Sequence, residues 1–142
     1  MTYLSMTRLK LKHPKYLVPY LLYTAKIINQ IIKSDGFIKG KILAEPNLSM
    51  WTTTLWRSKE ASNAFYCQGN HRSSMSLLKN WASEAVTGFK ENHNSNQLPS
   101  WKSIAYQLME TGNFNLLAIG SYNHQNKIIP PAKFTFLTIP FH

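Results

Sequence analysis

The sequence predicts an α+β domain whose elements follow the order β-α-β-β-α-β, with an extra helix and a tail behind them. Three observations support this: an alternating pattern at residues 3–12, an apolar helical period at residues 14–34, and two strand-like runs joined by a short turn at residues 37–57. This order is the split βαβ, or ferredoxin-like, unit, in which an antiparallel sheet carries helices on one face. The other face needs a cover, and a second copy of the same sheet supplies one, so we expect a homodimer.

The first strand and the first helix follow from their periods. Alternation in residues 3–12 places odd-numbered side chains on one face of the strand and even-numbered ones on the other, and Pro14 ends it. In residues 14–34 apolar side chains recur in steps of three and four, which predicts a helix. The predicted buried stripe consists of Leu17, Leu21, Ala25, Ile28 and Ile32. Gly36 closes the helix, because glycine suits the left-handed cap.

The next elements are a hairpin, a short helix and a fourth strand. Residues 37–45 and 49–57 form two strands, and the second is rich in threonine and tryptophan, which favour strands. Ser58 suits the N-cap of a short helix, and Asn70 can cap a second helical segment that starts at His71. Residues 84–93 then return as the fourth strand.

The last part of the chain is less regular. Ser100 suits the N-cap of a further helix that runs to about residue 109, and Gly112 stops it. Residues 113–142 contain three prolines and predict a tail with strands near 115–121 and 133–139. We therefore expect a domain with its appended helix at residues 1–112 and a C-terminal tail at residues 113–142.

Composition excludes several function classes. The chain has 142 residues, of which 44% are apolar, enough for one domain with a core. Its single cysteine, Cys67, forms no internal disulfide and cannot by itself build a structural zinc site. The sequence holds no Gly-rich nucleotide-binding loop, no H-E-x-x-H or G-x-S-x-G motif and no metal-ligand spacing of histidines. We expect no metal site.

The charge is strongly positive but spread along the chain. Sixteen Lys and Arg against six Asp and Glu give a net charge of +10, which favours acidic partners. Without a run of like charges, a solvated basic surface is favoured, and nucleic-acid or membrane association through Lys15, Lys26 and Lys33 is the disfavoured alternative. Residues 16–32 are too short and too polar to span a membrane, and no signal peptide is evident, so we expect a cytoplasmic protein.

Two polar residues are candidates for chemistry. His71 stands at the first turn of a predicted helix and suits a general base or a haem-iron ligand; the alternative is a capping or packing histidine. Arg72 can bind a carboxylate in a bidentate fork, or it can pair with Glu60 or Glu84 at the surface.

Aromatic residues are candidates for binding a flat apolar ligand. Trp51 and Trp56 are an odd number of residues apart, so they point to opposite faces of their strand. One then faces the helices and the other the opposite side of the sheet. Phe65 and Trp81 carry the same two interpretations, a ligand contact or a core residue.

A motif in the middle of the chain resembles a known superfamily. A strand that ends in Trp56, then Ser-x-Glu-Ala at residues 58–61, Phe65, and Gly-x-His-Arg at residues 69–72 resembles the dimeric α+β barrel proteins. These include the antibiotic-biosynthesis monooxygenases and the haem-degrading monooxygenases. The chain is more similar to a family of unknown function beside them, which also resembles the spheroidene monooxygenases. The likeness covers about residues 3–105 and leaves the tail unexplained.

The resemblance implies a monooxygenase-like protein that acts on or binds a hydrophobic flat or polyene small molecule, with haem or with no cofactor. It suggests Trp56 as a catalytic residue by its place at the end of the strand. The polar candidates named above complete the set, with His71 as a second catalytic residue and His71 and Arg72 as holders of a cofactor. Trp51, Phe65 and Trp81 are then the substrate contacts. A small-molecule binding module without catalysis is the alternative, because related barrels host many chemistries.

Overall fold

The computed structural model describes residues 2–67, 79–114, 117 and 120–142. The strands are β1 (Thr2–Leu11), β2 (Phe37–Ala44), β3 (Ser49–Trp56), β4 (Ala82–His93) and β5 (Ile139–Phe141). The helices are α1 (Leu17–Ile32), α2 (Lys59–Tyr66), α3 (Trp101–Thr111) and the short α4 (Tyr122–Gln125). Two 3-10 turns lie at Pro14–Tyr16 and Thr135–Leu137. The predicted β-α-β-β-α-β order, followed by an extra helix, is confirmed.

The five strands form one antiparallel sheet in the order β4-β1-β3-β2-β5. The first four positions are the ferredoxin-like arrangement, and β5 adds a short strand to the edge of β2. The central strand β1 pairs with β3 from Tyr3 opposite Trp56 to Lys10 opposite Ser49. β1 has a partner strand at each edge and packed layers on both faces, so most of its side chains are buried.

Turns and helix caps lie where the sequence predicts them. Gly36 has a φ of 85°, and a Cβ there would lie 2.5 Å from the Cβ of Ala61, so only glycine fits between α1 and α2. The Ser58 hydroxyl accepts a hydrogen bond from the Ala61 amide at 3.1 Å, which starts α2. Ser100 caps α3 in the same way.

The two faces of the sheet carry different layers. On the face that we call the α1 face, α1 and α2 pack against odd-numbered residues of β1 and even-numbered residues of β3. On the opposite face, which we call the α3 face, α3 and part of the tail cover the remaining side chains. That cluster contains Leu4, Met6, Leu43, Trp51, Leu55 and Val86 from the sheet, with Trp101, Ile104, Ala105, Leu108, Phe114 and Ile129 above them.

The covered α3 face corrects the reasoning behind the expected homodimer. We expected an open sheet face that only a second copy would bury. The chain covers this face itself, because α3 and residues Phe114 and Ile129 place apolar side chains on it. The open-face argument is therefore wrong, although the helices of the ferredoxin-like unit do lie together on one face.

Two local predictions also need correction. The buried stripe of α1 is rotated from the predicted one, since Leu21 is 44% and Ile32 is 46% exposed, whereas Ile31 is buried. The side of α1 that faces the sheet includes Tyr20, Tyr23 and Thr24, which the predicted apolar stripe left out. In the tail, residues 135–137 form a 3-10 turn and the strand begins only at Ile139. The predicted strand near 115–121 falls largely outside the described residues.

Candidate functional site

A cavity of about 110 Å³ lies between α1 and the α1 face of the sheet. The floor comes from β1, β2 and β3, the roof from α1, and the ends from α2 and the residue that precedes β4. Its floor is polar in an unusual way, because four hydroxyl side chains face a largely apolar roof. These are Ser5, Thr7, Thr52 and Thr54.

The hydroxyl groups are joined to a half-buried tyrosine, Tyr66. The Tyr66 hydroxyl shares a hydrogen bond with Ser5 Oγ and has a second one to Thr54. Behind Thr54, the indole Nε1 of Trp56 donates to Thr54 Oγ1 at 2.9 Å. Since an indole only donates, Thr54 must accept there, and its own proton is left for another acceptor. Ser5, Tyr66 and Thr54 therefore form one linked hydroxyl network beside the cavity.

Burial sets the protonation of the tyrosines in this cavity. Burial raises the pKa of Tyr66 to about 12, against the opposing effect of its hydrogen bonds to Ser5 and Thr54. The pKa of Tyr20, on α1, is raised to about 12 by burial as well, with a hydrogen bond to Thr24 opposing it. Both hydroxyls stay protonated at neutral pH, so they can donate hydrogen bonds but cannot act as bases.

Three of the predicted aromatic residues lie at or behind this cavity. Phe65 and Trp81 line it. Trp56 is fully buried and stacks on Phe65 with 5.4 Å between the ring centroids, so it reaches the cavity through Thr54 rather than by its own ring. Trp56 therefore orients a hydroxyl. His71 and Arg72 lie outside the described residues.

Trp51 lies on the α3 face, as its odd spacing from Trp56 predicts, and it does not line this cavity. Its indole donates to Glu45 Oε1 at 2.6 Å, and the Arg8 guanidinium lies 5.3 Å from the centroid of its ring. Arg8 in turn pairs with Glu84 at 3.7 Å, and both side chains are buried. Glu84 is thus an internal partner of Arg8 rather than the surface partner suggested for Arg72.

Sequence reasoning missed the hydroxyl network of Ser5, Thr54 and Tyr66, and also Tyr20. The sequence did contain a pattern that could have indicated this network. Ser5 and Thr7 alternate with apolar residues on the same side of β1 as Tyr3 and Leu9, and Thr52 and Thr54 do the same on β3. Polar residues at alternating positions on a helix-covered face indicate a cavity, because a close-packed interface would use apolar side chains there.

The described lining does not fit haem. It contains no histidine, cysteine or methionine, and its tyrosines are held protonated, whereas a haem-iron ligand must offer a free electron pair. Within the described ranges, no group of three or more His, Cys, Asp or Glu side chains is placed to hold a metal ion. We derive no step through haem.

The long helix and its lysines were the alternative site. Lys15 lies 5.2 Å from the ring centroid of Tyr16, and Lys26 lies 5.6 Å from that of Tyr23, so both extend along their own helical segment. Among the helices that the structure describes, none has the length and apolar character to cross a membrane.

Several solved structures share this fold. A protein from Nitrosomonas europaea, titled "Putative antibiotic biosynthesis monooxygenase", aligns with a TM-score of 0.58 and 11% identity over 66% of this chain and 91% of its own. SnoaB, a cofactor-independent oxygenase from Streptomyces nogalater, aligns with a TM-score of 0.55 and 14% identity over 70% of this chain and 98% of its own. Rv0793 from Mycobacterium tuberculosis aligns with a TM-score of 0.61 and 8% identity over 68% of this chain and 100% of its own.

No protein-family model and no curated protein sequence matches the chain. The structural likeness at these low identities establishes the fold, which is the ferredoxin-like α+β fold that the sequence predicts. Function must be argued from the cavity itself.

Proposed function

We propose that this protein is a cofactor-independent monooxygenase that binds a flat phenolic ring in the cavity on the α1 face. The observation that carries this proposal is the group of hydroxyl side chains on the strand floor of a cavity whose other walls are mostly aliphatic and aromatic. Apolar walls favour an aromatic ring, and fixed donors favour an oxygen atom that carries negative charge. SnoaB, a cofactor-independent oxygenase with the same fold, supports the reaction class.

The cavity volume limits the ligand. An apolar cavity of about 150 Å³ can hold benzene, so a cavity of about 110 Å³ limits the ligand to roughly one aromatic ring at most. A single ring fits this space better than an extended polyene. Of the two ligand shapes that the sequence suggested, the flat one is favoured.

The residues supply hydrogen bonds rather than proton abstraction. The described lining contains no carboxylate, imidazole or amine, and Tyr66 holds its proton at neutral pH. The substrate therefore enters as a phenolate that has already lost its proton to water. A hydroxyl proton of the linked Ser5, Tyr66 and Thr54 network is donated to the phenolate oxygen and stabilises its charge.

The oxidation balances without a further reductant. A phenolate, one O₂ and one proton give a para-quinone and one water; one oxygen atom becomes the new carbonyl and the other becomes water. All four electrons that reduce O₂ come from the substrate. The role of the protein is to hold the ring and its charge while excluding bulk water.

Oxygen uptake with single-ring phenols tests this proposal. We expect quinone formation with one ¹⁸O atom from ¹⁸O₂, and a rate that rises with pH through the pKa of the substrate. Tyr66→Phe removes a donor and should lower kcat by about 10². Tyr122→Phe is the matched control, because Tyr122 is 75% exposed on α4, and its rate should be unchanged.

Two outcomes would overturn the enzyme proposal. Saturable binding of a phenol without oxygen uptake would leave a binding module that uses the same cavity. A stoichiometric Soret shift on titration with hemin, lost in His71→Ala, would replace the cofactor-independent reaction by haem chemistry with His71 as the ligand.

We also propose that the chain forms a homodimer, as the resemblance implies. Because α3 and the tail occupy the α3 face, the second copy must bind elsewhere than on the open sheet we first expected. Light scattering should give twice the chain mass of 16.3 kDa. A mass of 16.3 kDa at micromolar concentration would refute the dimer.

A further inference from the structure

A second, larger cavity of about 590 Å³ lies at the edge of the α3 face, between α3 and the tail. One wall is α3, with Trp101, Ala105 and Met109, and the other is the tail, with Ala132 and neighbouring residues. The two cavities are on opposite sides of the sheet and share no lining residue.

One cation from the sheet reaches this second cavity. Lys41, on β2, is partly buried; its Nζ donates to the Pro99 carbonyl at 2.6 Å and lies 4.5 Å from the ring centroid of Trp101. The Trp101 ring is itself fixed, since its indole donates to Thr138 Oγ1 at 2.8 Å. The ammonium group therefore has a defined position between α3 and the tail.

The charge of Lys41 lacks a counterion. In the described part of the chain no carboxylate forms an ion pair with Lys41. Burial lowers its pKa, and no acidic neighbour opposes that effect. An ammonium has three protons, and the Pro99 carbonyl takes one of them. A partly desolvated cation with spare donors at an apolar cavity is complementary to an anion, and exposed Lys102 adds a second positive charge.

We propose that this cavity binds a small amphipathic carboxylate. The carboxylate pairs with the Lys41 ammonium, and the apolar body lies between Trp101 and Met109 on α3 and Ala132 on the tail. This site is separate from the proposed monooxygenase site, so the two proposals can fail independently.

A matched pair of probes tests the charge requirement. Calorimetric titration uses 2-naphthoate and 2-naphthalenemethanol, which share a ring system and differ in the anionic group. We expect naphthoate to bind about tenfold tighter, as a charge-assisted hydrogen bond predicts. Lys41→Met should remove that preference, and Lys41→Arg should keep it. The control is Lys33→Met, which removes an exposed charge beyond the end of α1 and should leave naphthoate affinity unchanged.

Two further variants locate the binding. Ala132→Phe places a ring in this cavity and should abolish naphthoate binding, while Thr52→Ile fills only the other cavity and should leave it intact. Each folded variant is confirmed by its thermal transition. Equal affinity for the two probes, unchanged binding in Lys41→Met, or loss of binding in Thr52→Ile alone would overturn the proposal.

Discussion

The two faces of the sheet are built from alternate residues of the same strands, yet they differ in composition. On β1, Met6 and Arg8 point to the α3 face, whereas Ser5 and Thr7 point to the α1 face. The α3 face holds a large apolar cluster with a buried ion pair beneath it, and the α1 face holds hydroxyls around a cavity. The comparison teaches that one strand can supply close packing with one set of side chains and a binding surface with the other.

Removing the charge of Arg8 should strongly destabilise the packing on the α3 face. Arg8 and Glu84 are 3% and 4% exposed, so Arg8→Met leaves the Glu84 carboxylate buried without its partner. We expect a loss of about 3–5 kcal/mol in the free energy of unfolding. Urea unfolding measures it, and the double variant Arg8→Met/Glu84→Leu should recover at least half of the loss.

The exposed pair Lys59–Glu91 is the matched control for that experiment. Its atoms are closer, at 3.0 Å, but its side chains are 54% and 58% exposed. Lys59→Met should leave the free energy of unfolding almost unchanged, because water already solvates both charges. A comparable loss in both variants would show that burial does not distinguish the two pairs.

Alkaline pH should destabilise the protein through two tyrosines on the α1 face. Tyr20 and Tyr66 have pKa values of about 12 in the folded protein, against about 10 when unfolded. Between these values the unfolded chain releases protons that the folded chain keeps, so the free energy of unfolding falls as pH rises from 10 to 12. Below pH 10 both states are protonated and this effect is absent.

Variants assign that pH dependence to the cavity. Tyr66→Phe should give a shallower decline of the free energy of unfolding between pH 10 and 12, measured by urea titration at each pH. Tyr122→Phe, whose side chain is exposed, should keep the original slope. An identical slope in all three proteins would mean that Tyr66 is not buried as described.

Much of the fold could be predicted from the sequence because its signals are local. Period-two alternation located β1, and threonine and tryptophan residues located β3. Ser58 and Ser100 marked helix starts, and Gly36 marked the end of α1. The cover of the α3 face could not be predicted, since it depends on contacts between residues distant in sequence. Phe114 and Ile129 carry no periodic pattern, yet they pack on β-strand residues.

The cavity was harder to predict than the fold. Trp51 was a candidate ligand contact because its ring is large. Its spacing from Trp56 placed the two rings on opposite faces of the sheet but did not show which of them faces α1. The burial of Arg8 could not be predicted, because it depends on Glu84, which is 76 positions further along the chain. Small hydroxyl residues such as Ser5 contribute to the site because they leave space for a cavity. The volume of that cavity depends on how the whole structure packs, so it could not be predicted from the sequence.

Filling the cavity should separate the two roles of the α1 face. Thr52 lines the cavity from the middle of β3, and isoleucine suits a strand as well as threonine does. Thr52→Ile should therefore raise the free energy of unfolding by about 0.5–2 kcal/mol, as cavity-filling substitutions commonly do. The same variant should lose affinity for phenols, because its added carbons occupy the ring position. Thermal unfolding and phenol titration on one preparation give both results. If stability rises while phenol binding is unchanged, the ligand binds elsewhere, and the hydroxyls of the α1 face serve only to hold α1, α2 and the sheet together.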